Sequence, residues 1–494
     1  MRNPRTSRTR LSFVLCLWVL CALCGGAVVV SLCLAADKPA GTTPPPGAGA
    51  PAHGDGPKVP GVPAPKATTA PPQTQGAGGA TRPVDPNEVA NDPDVKLLVK
   101  GLNEFAIDLY KQIAKTEKGN IFFSPFSISS ALAMTYAGAR GKTAEEMAKV
   151  LHFPPELLKD DAKRLHTAFG KLIAHVNAEK GPEGKPRGYE LVTANALWVQ
   201  AGHPFLDRFI RTNTDNYKAS FDALDFIGDR QGASDKINAW VGKQTRGKIG
   251  KIIDESLLHN TRLVLTNAVY FKGAWAQKFD KALTREAEFN LASGQATKVP
   301  FMNSKVVAGY LPEQVSGDLP GVPAGCRFQE LEMPYVGRDV SFLVILPKEA
   351  QGIGAFERAL SPGLLAVKIP AITIDTSIPR LAIRFDIDLS GLLRQTGMQA
   401  CFTPGQADFS GIDSTRDFAI SRACHGAIGD VNEEGTEAAA ATGGTFAWIT
   451  APPAFVADHP FFFVVRNTLN GCILFMGRVM DPTSDKALLD LKGA

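Results

Sequence analysis

Large apolar side chains recur at helical spacing at Leu98, Leu102, Phe105, Leu109 and Ile113, which predicts one amphipathic helix. Residues 120–123 read as a short strand, and Ser124-Pro125 then opens a second helix with proline in its first turn. Through Ile128, Ala131, Leu132, Ala133 and Met134 that second helix is apolar and small on every side, so it is predicted to be buried all round. Residues 141–153 supply another helix. Residues 191–200 and 263–271 are strand-like, with helical segments between them at 205–217 and 236–245. After Gly273 strand signals punctuated by turns dominate, at 328–334, 340–346, 378–385, 460–465 and 473–479. Helices and strands come first and strands later, without regular alternation and without an internal repeat. That order predicts an α+β domain built on large antiparallel or mixed sheets.

One stretch, residues 433–450, fits two patterns at once. As a helix, Thr436 caps, Glu437 suits the first turn, Ala438 to Ala441 propagate, and Gly443-Gly444 stop it. As a strand, Thr436, Ala438, Ala440 and Thr442 share one face, and Glu437, Ala439, Ala441 and Gly443 the other. The first face is small enough to slide beneath a packed layer, and the charge points away from it. A segment with two acceptable conformations among long apolar strands is a candidate moving part.

Composition adds little to this picture until it is divided. The 494 residues are 44% hydrophobic and 21% charged, ordinary for a globular protein. The net charge of +4 resides in Arg2, Arg5, Arg8 and Arg10; without them the balance is 49 basic to 49 acidic, which suggests neither nucleic acid nor an acidic substrate. Those arginines precede an uncharged apolar stretch, residues 11–36, with Leu34-Ala35-Ala36 as a plausible cleavage region. A secretory signal and an uncleaved membrane anchor both fit residues 1–36. Either places the remainder outside the cytoplasm, secreted, extracellular or periplasmic, with a membrane contact only if the segment is uncleaved. Residues 37–91 are rich in Pro, Gly and Ala and poor in large apolar side chains, so they read as a disordered linker. Folded sequence is expected over 92–484, with a short tail at 485–494.

Cys16, Cys21, Cys24 and Cys33 lie in the apolar N-terminal stretch. Cys326, Cys401, Cys424 and Cys472 are widely spaced, with no metal-ligand pattern; disulfides and buried thiols are both open. Enzyme constellations are absent from the pattern: there is no G-x-S-x-G, no H-E-x-x-H and no complete phosphate-binding G-x-x-x-x-G-K-[S/T]. Cys424-His425 looks reactive only on paper, because neighbours on a strand point to opposite faces. No catalytic role, metal or cofactor is expected.

The local pieces resemble one family in order along the chain. Asn120-Ile-Phe-Phe-Ser-Pro-Phe-Ser127 resembles the start of the buried second helix of serpins. Asn238-Ala-Trp-Val, Thr245-Arg-Gly-Lys-Ile249, Thr266-Asn-Ala-Val-Tyr-Phe-Lys-Gly-Ala-Trp275, Leu331-Glu-Met-Pro-Tyr335, Phe402-Thr-Pro-Gly-Gln-Ala-Asp-Phe-Ser-Gly411 and Phe475-Met-Gly-Arg-Val-Met-Asp-Pro482 agree as well. The resemblance implies an α+β serpin fold of three β-sheets with eight or nine helices and an exposed reactive-centre loop near the C-terminus. It makes Glu433, Gly435, Thr436, Glu437, Ala438, Ala439, Ala440, Ala441 and Thr442 the loop hinge. The family's spacing, counted forward from Glu433 and backward from Pro460-Phe461, implies Ile449-Thr450 as the reactive bond, with Phe446, Trp448 and Ile449 setting target specificity. Ser124, Ser127, Asn238 and His425 match the family's central control region, and Trp275 the tryptophan under the point where loop insertion begins.

The implied function is suicide inhibition of a serine protease by a monomer that captures its target covalently, with elastase-like, subtilisin-like or chymotrypsin-like targets. The alternatives are a non-inhibitory serpin acting as a binding or chaperone module, an inhibitor of cysteine proteases, and an unrelated hydrolase. Lys180, Lys185 and Arg187 hint at polyanion binding, diluted by Glu179 and Glu183.

Overall fold

A computed structural model describes residues 28–37, 86–178, 187–244, 247, 251–259, 261–315, 327–435 and 453–484. The helix foreseen at 98–113 is the core of α2 (Pro93–Thr116), whose first turn is capped by Asp92 accepting from the N–H groups of Asp94 and Val95. A short helix, α1 (Pro86–Asn91), precedes it and buries Val89 and Ala90. The last six residues of the stretch read as linker are therefore helical, and two small apolar side chains there find a surface to cover.

The six-stranded sheet A runs β11 (Leu381–Asp388), β12 (Ala419–Val431), β1 (Val28–Asp37), β5 (Thr261–Gly273), β3 (Tyr189–Gln200) and β4 (Ser220–Leu224). A second path of strands runs β13 (Ala454–Val456), β10 (Ala371–Pro379), β7 (Ala296–Val315), β8 (Arg327–Pro334), β9 (Val340–Pro347), β14 (Phe461–Asn467), β15 (Ile473–Val479) and β2 (Ile121–Phe123), with β6 (Arg285–Asn290) also on β7. The 20-residue β7 divides this path. β6 and β10 pair with its residues up to Gly309, and β8 takes over from Gly309 onward. The expected three sheets are thus present, the second and third continuous through one long strand. Among the described residues there are ten α-helices rather than eight or nine, the excess being short pieces such as α1 and α10 (Ser410–Asp413).

The remaining helices are α3 (Pro125–Tyr136), α4 (Gly141–Val150), α5 (Lys159–Val176), α6 (Asp207–Tyr217), α7 (Arg230–Gln244), α8 (Ile353–Ala359) and α9 (Ser390–Gln395). α3 is buried along all twelve residues, as its all-round apolar pattern requires, and packs against β5 and β1 of sheet A and β15 of the second sheet. β14 and β15 are buried on both faces, so their sequences read as continuous apolar runs. The single strand expected at 378–385 is two. Pro379 ends β10 and Arg380 turns the chain, so that β11 continues into sheet A.

β1 was not foreseen. It comes from the apolar stretch ahead of the linker and lies antiparallel to both β5 and β12, which are therefore parallel to each other. Among the described residues no helix is long and apolar enough to cross a membrane.

Gly477 lies where β2, β14 and β15 meet, and a Cβ there would sit 2.0 Å from the Ile121 carbonyl oxygen and 2.9 Å from the Phe463 ring. Gly477→Ala is expected to destabilise the fold by roughly 1–3 kcal/mol. An unchanged urea midpoint would show that β2 can move aside.

Candidate functional site

The centre of the molecule holds a polar cluster in apolar surroundings. Ser124 caps α3, its Oγ accepting from the Ser127 N–H at 3.1 Å and donating to the Leu474 carbonyl at 2.7 Å. The Ser124 N–H donates at 3.2 Å to Nε2 of His425, on β12. That bond assigns the lone pair to Nε2 and the proton to Nδ1, which is buried without a partner among the described residues. Burial pushes the ring's pKa down from 6.5 to about 3, so His425 is neutral in the folded protein. A ring whose lone pair already accepts a backbone N–H is not a free base for catalysis.

Ser127 Oγ donates to Oδ1 of Asn267 on β5. The Asn267 amide donates at 2.6 Å to Asn195 on β3, and Asn195 donates to the Tyr217 carbonyl. The cluster thus ties α3 to β12, β5 and β3 across the middle of sheet A. Ser124, Ser127 and His425 are brought together as expected. Asn238 is not: it lies on α7, where its side chain holds the 252–253 turn through Ile252 N, Ile253 N and Ile253 O. The amide in the cluster is Asn267. Its signal was in the Thr266-Asn motif, at an inward position of a strand passing over α3, a placement that spacing alone does not reveal.

The second half of the site is the head of the gap between β5 and β12. β12 ends at Val431, and Asn432 and Gly435 then close a tight turn through two backbone hydrogen bonds of 3.2 and 3.1 Å. Gly435 has φ +113° and bridges Ala274; a Cβ on it would meet the Gly273 oxygen at 2.4 Å. Trp275 lies beneath the turn, stacked on Tyr335 at 4.6 Å, and its indole N–H donates to the Asn432 carbonyl at 3.0 Å. The Trp275 and Phe279 N–H groups donate to the carbonyls of Glu434 and Glu433.

The two glutamates hold the turn from outside. Glu433 accepts from the Thr284 hydroxyl at 2.7 Å and lies 3.5 Å from Arg380. Glu434 pairs with Lys281 at 3.0 Å and Lys278 at 3.1 Å, and the bonds from Lys281 and Lys278 hold its carboxyl below the usual range. Of the expected hinge, Glu433 and Gly435 are thus placed. Thr436, Glu437, Ala438, Ala439, Ala440, Ala441 and Thr442 lie outside the described residues, as do Phe446, Trp448, Ile449 and Thr450.

Arg187 leaves the suggested polyanion patch. Its side chain is buried, 3.0 Å from Asp339, and donates to the His175 and Ala178 carbonyls. Lys180 and Lys185 lie outside the described residues. Cys401 and Cys472 are free buried thiols, each pushed up to about 12 by burial.

Comparison with known proteins agrees with this geometry. The family model described as Serpin (serine protease inhibitor) matches residues 100–482, and the chain belongs to the serpin family. Similar proteins include leukocyte elastase inhibitor of Bos taurus, 36% identical over 76% of this chain and 97% of that protein. Plasminogen activator inhibitor 2 of Homo sapiens is 35% identical over 76% of this chain and 98% of its own length. Among solved structures, thyroxine-binding globulin in complex with thyroxine superposes with TM-score 0.65 at 29% identity, covering 78% of this chain and 99% of that one.

Because the folded protein refuses the proton that unfolded His425 accepts, stability is full above pH 6.5 and declines as the pH falls toward 3. Buried His166 and His175, both lowered to about 4, act in the same direction. His425→Gln should remove up to one proton, about 1.4 kcal/mol per pH unit, from the slope of unfolding free energy between pH 4 and 6. A slope identical to that of the parent would mean that His425 is already protonated in the fold.

Proposed function

We propose that the chain is a suicide-substrate inhibitor of serine proteases. The observation that carries this reading is the clamped turn at 432–435. It stands at the head of the gap between β5 and β12 and is followed in the sequence by the small-residue face of Thr436, Ala438, Ala440 and Thr442. A target protease attacks the carbonyl of Ile449, the Ile449-Thr450 bond breaks, and the acyl-enzyme forms. The freed loop then enters sheet A as a strand between β5 and β12, carrying the protease with it. The family match supports the inhibitory class, and the hinge composition supports insertion.

Insertion of about ten residues forms ladder bonds on both sides, and at roughly 0.5–1.5 kcal/mol net each the gain is on the order of 10 kcal/mol. The uncleaved form must then persist behind a kinetic barrier. The cluster of Ser124, Ser127, Asn267 and His425 is where we place that barrier, since these bonds cross the strands that must part.

The β-branched Ile449 favours an elastase-like or subtilisin-like target, and Trp448 or Phe446 a chymotrypsin-like one. The leukocyte elastase inhibitors at 36% identity lend support to the first. Incubation with an elastase and with a chymotrypsin, followed by sequencing of the released C-terminal peptide, is expected to give a new N-terminus at Thr450. A terminus elsewhere corrects the register. Cleavage without any covalent complex favours a non-inhibitory binding or chaperone module, and trapping of cysteine proteases alone favours that target class instead. Arg2, Arg5, Arg8 and Arg10 ahead of the apolar stretch support action outside the cytoplasm.

Thr436→Arg should turn inhibitor into substrate, because an unpaired charge under the sheet costs several kcal/mol. Each 1.4 kcal/mol is tenfold, so the trapped fraction should fall by at least about tenfold. SDS-stable complexes at undiminished yield would sink the insertion model.

A further inference from the structure

The place a returning loop would take in sheet A is already filled by β1, and the two registers coincide as far as Ala35, beyond which β1 shifts by one residue. A chain that leaves Gly435 and returns along β12 is antiparallel to it, which is the polarity of β1. Continuing the Asn432↔Gly435 bridge pairs residue 439 with Ile428 and residue 448 with Ala419; continuing the Ala274↔Gly435 bridge pairs residue 438 with Phe271 and residue 448 with Thr261. Those are the partners of β1: Val29↔Ile428 and Asp37↔Ala419 on one side, Val28↔Phe271 and Asp37↔Thr261 on the other. Past the end of β1, only Gly273 and Lys272 on the β5 side and Val431, Asp430 and Gly429 on the β12 side are left unpaired with it. The sequence of β1, Val-Val-Val-Ser-Leu-Cys-Leu-Ala-Ala-Asp, suits a central strand, with β-branched residues at its start and no charge before Asp37.

We infer that Val28–Asp37 is an internal occupant of the gap between β5 and β12, and that while it is seated the cleaved loop is held out. This rests on the trapping reading above. A chain that keeps the strand in place is cut by a target protease and releases it; a chain that withdraws or loses the strand traps. Cleavage near Leu34-Ala35-Ala36 would sever the strand close to its C-terminal end, so the same processing that removes the segment would arm the inhibitor.

The register supplies its own probe, since Cys33 lies opposite Cys424. Directly opposed residues of antiparallel strands have Cα atoms roughly 4.5–5.5 Å apart, within reach of a disulfide. The full-length chain, purified reduced and oxidised with copper–phenanthroline in air, is expected to yield a Cys33–Cys424 linked peptide on mapping, two thiols losing two electrons and two protons to oxygen. The linked protein should be cleaved by elastase with little or no covalent complex. The reduced full-length Leu32→Pro variant, which loses an N–H in the middle of β1, should trap at least about tenfold more than the reduced parent. Absence of the 33–424 link overturns the inference. So does a linked protein that traps as well as Leu32→Pro does. If the link forms and neither the parent nor the variant traps any protease, the seating of β1 is upheld, and what fails is the inhibitor reading.

Discussion

β5 and β12 run parallel to each other, and each turns a row of N–H and C=O groups toward the gap between them. Backbone groups in the middle of a large sheet must be paired, because leaving them unmade costs more than making them gains. That demand is the constraint from which the rest follows. It explains why a third strand is drawn in, and why the helix below must be slim and apolar on every side. It also explains why the polar atoms under the gap are few and bonded to one another. α3 meets the second requirement with alanines and serines, and Ser124, Ser127, Asn267 and His425 meet the third.

The polar cluster is not there for strength alone. His425 spends its Nε2 lone pair on a backbone N–H and leaves Nδ1 unmatched, an arrangement that apolar packing would improve upon. Such a cluster ties four elements together by directional bonds, which rigidify the centre of the sheet and fix one arrangement of it.

Much of the frame was legible in the sequence because local pattern and tertiary environment agree there. α2 has one apolar face and one polar face, α3 has no polar face, and β14 and β15 are buried on both sides. Trp275 and Gly435 were readable through the family motifs they belong to, and the structure gives each a reason: the indole N–H bonds the Asn432 carbonyl, and a Cβ on Gly435 would meet the Gly273 oxygen. Where two residues of the same type compete, pattern does not decide. Asn238 and Asn267 both sit in strong motifs, and only the path of β5 over α3 says which amide reaches Ser127. β10 and β11 are nearly continuous in sequence yet belong to different sheets, because one arginine turns the chain. β1 was hidden for a different reason. An uncharged run rich in Val, Leu and Ala is equally good as a membrane span, a signal or a central strand, and its pairing partners lie more than 200 residues away.

The hinge contacts and the ladder differ in scale, and the difference locates the control. Glu434 is partly exposed and Lys281 largely so, and ion pairs of that kind contribute about 0.2–1 kcal/mol. A full strand in the gap contributes on the order of 10 kcal/mol. On the insertion reading, the Glu434 pairs are therefore too weak to hold a loop out against the sheet; with Glu433 they hold the 432–435 turn. On the same reading, what decides when the gap opens must be comparable to a strand, and the structure contains two candidates. One is the buried cluster linking α3 to β12, β5 and β3, which must be broken. The other is β1, whose ladder runs along both β5 and β12 and which only an equivalent ladder can replace.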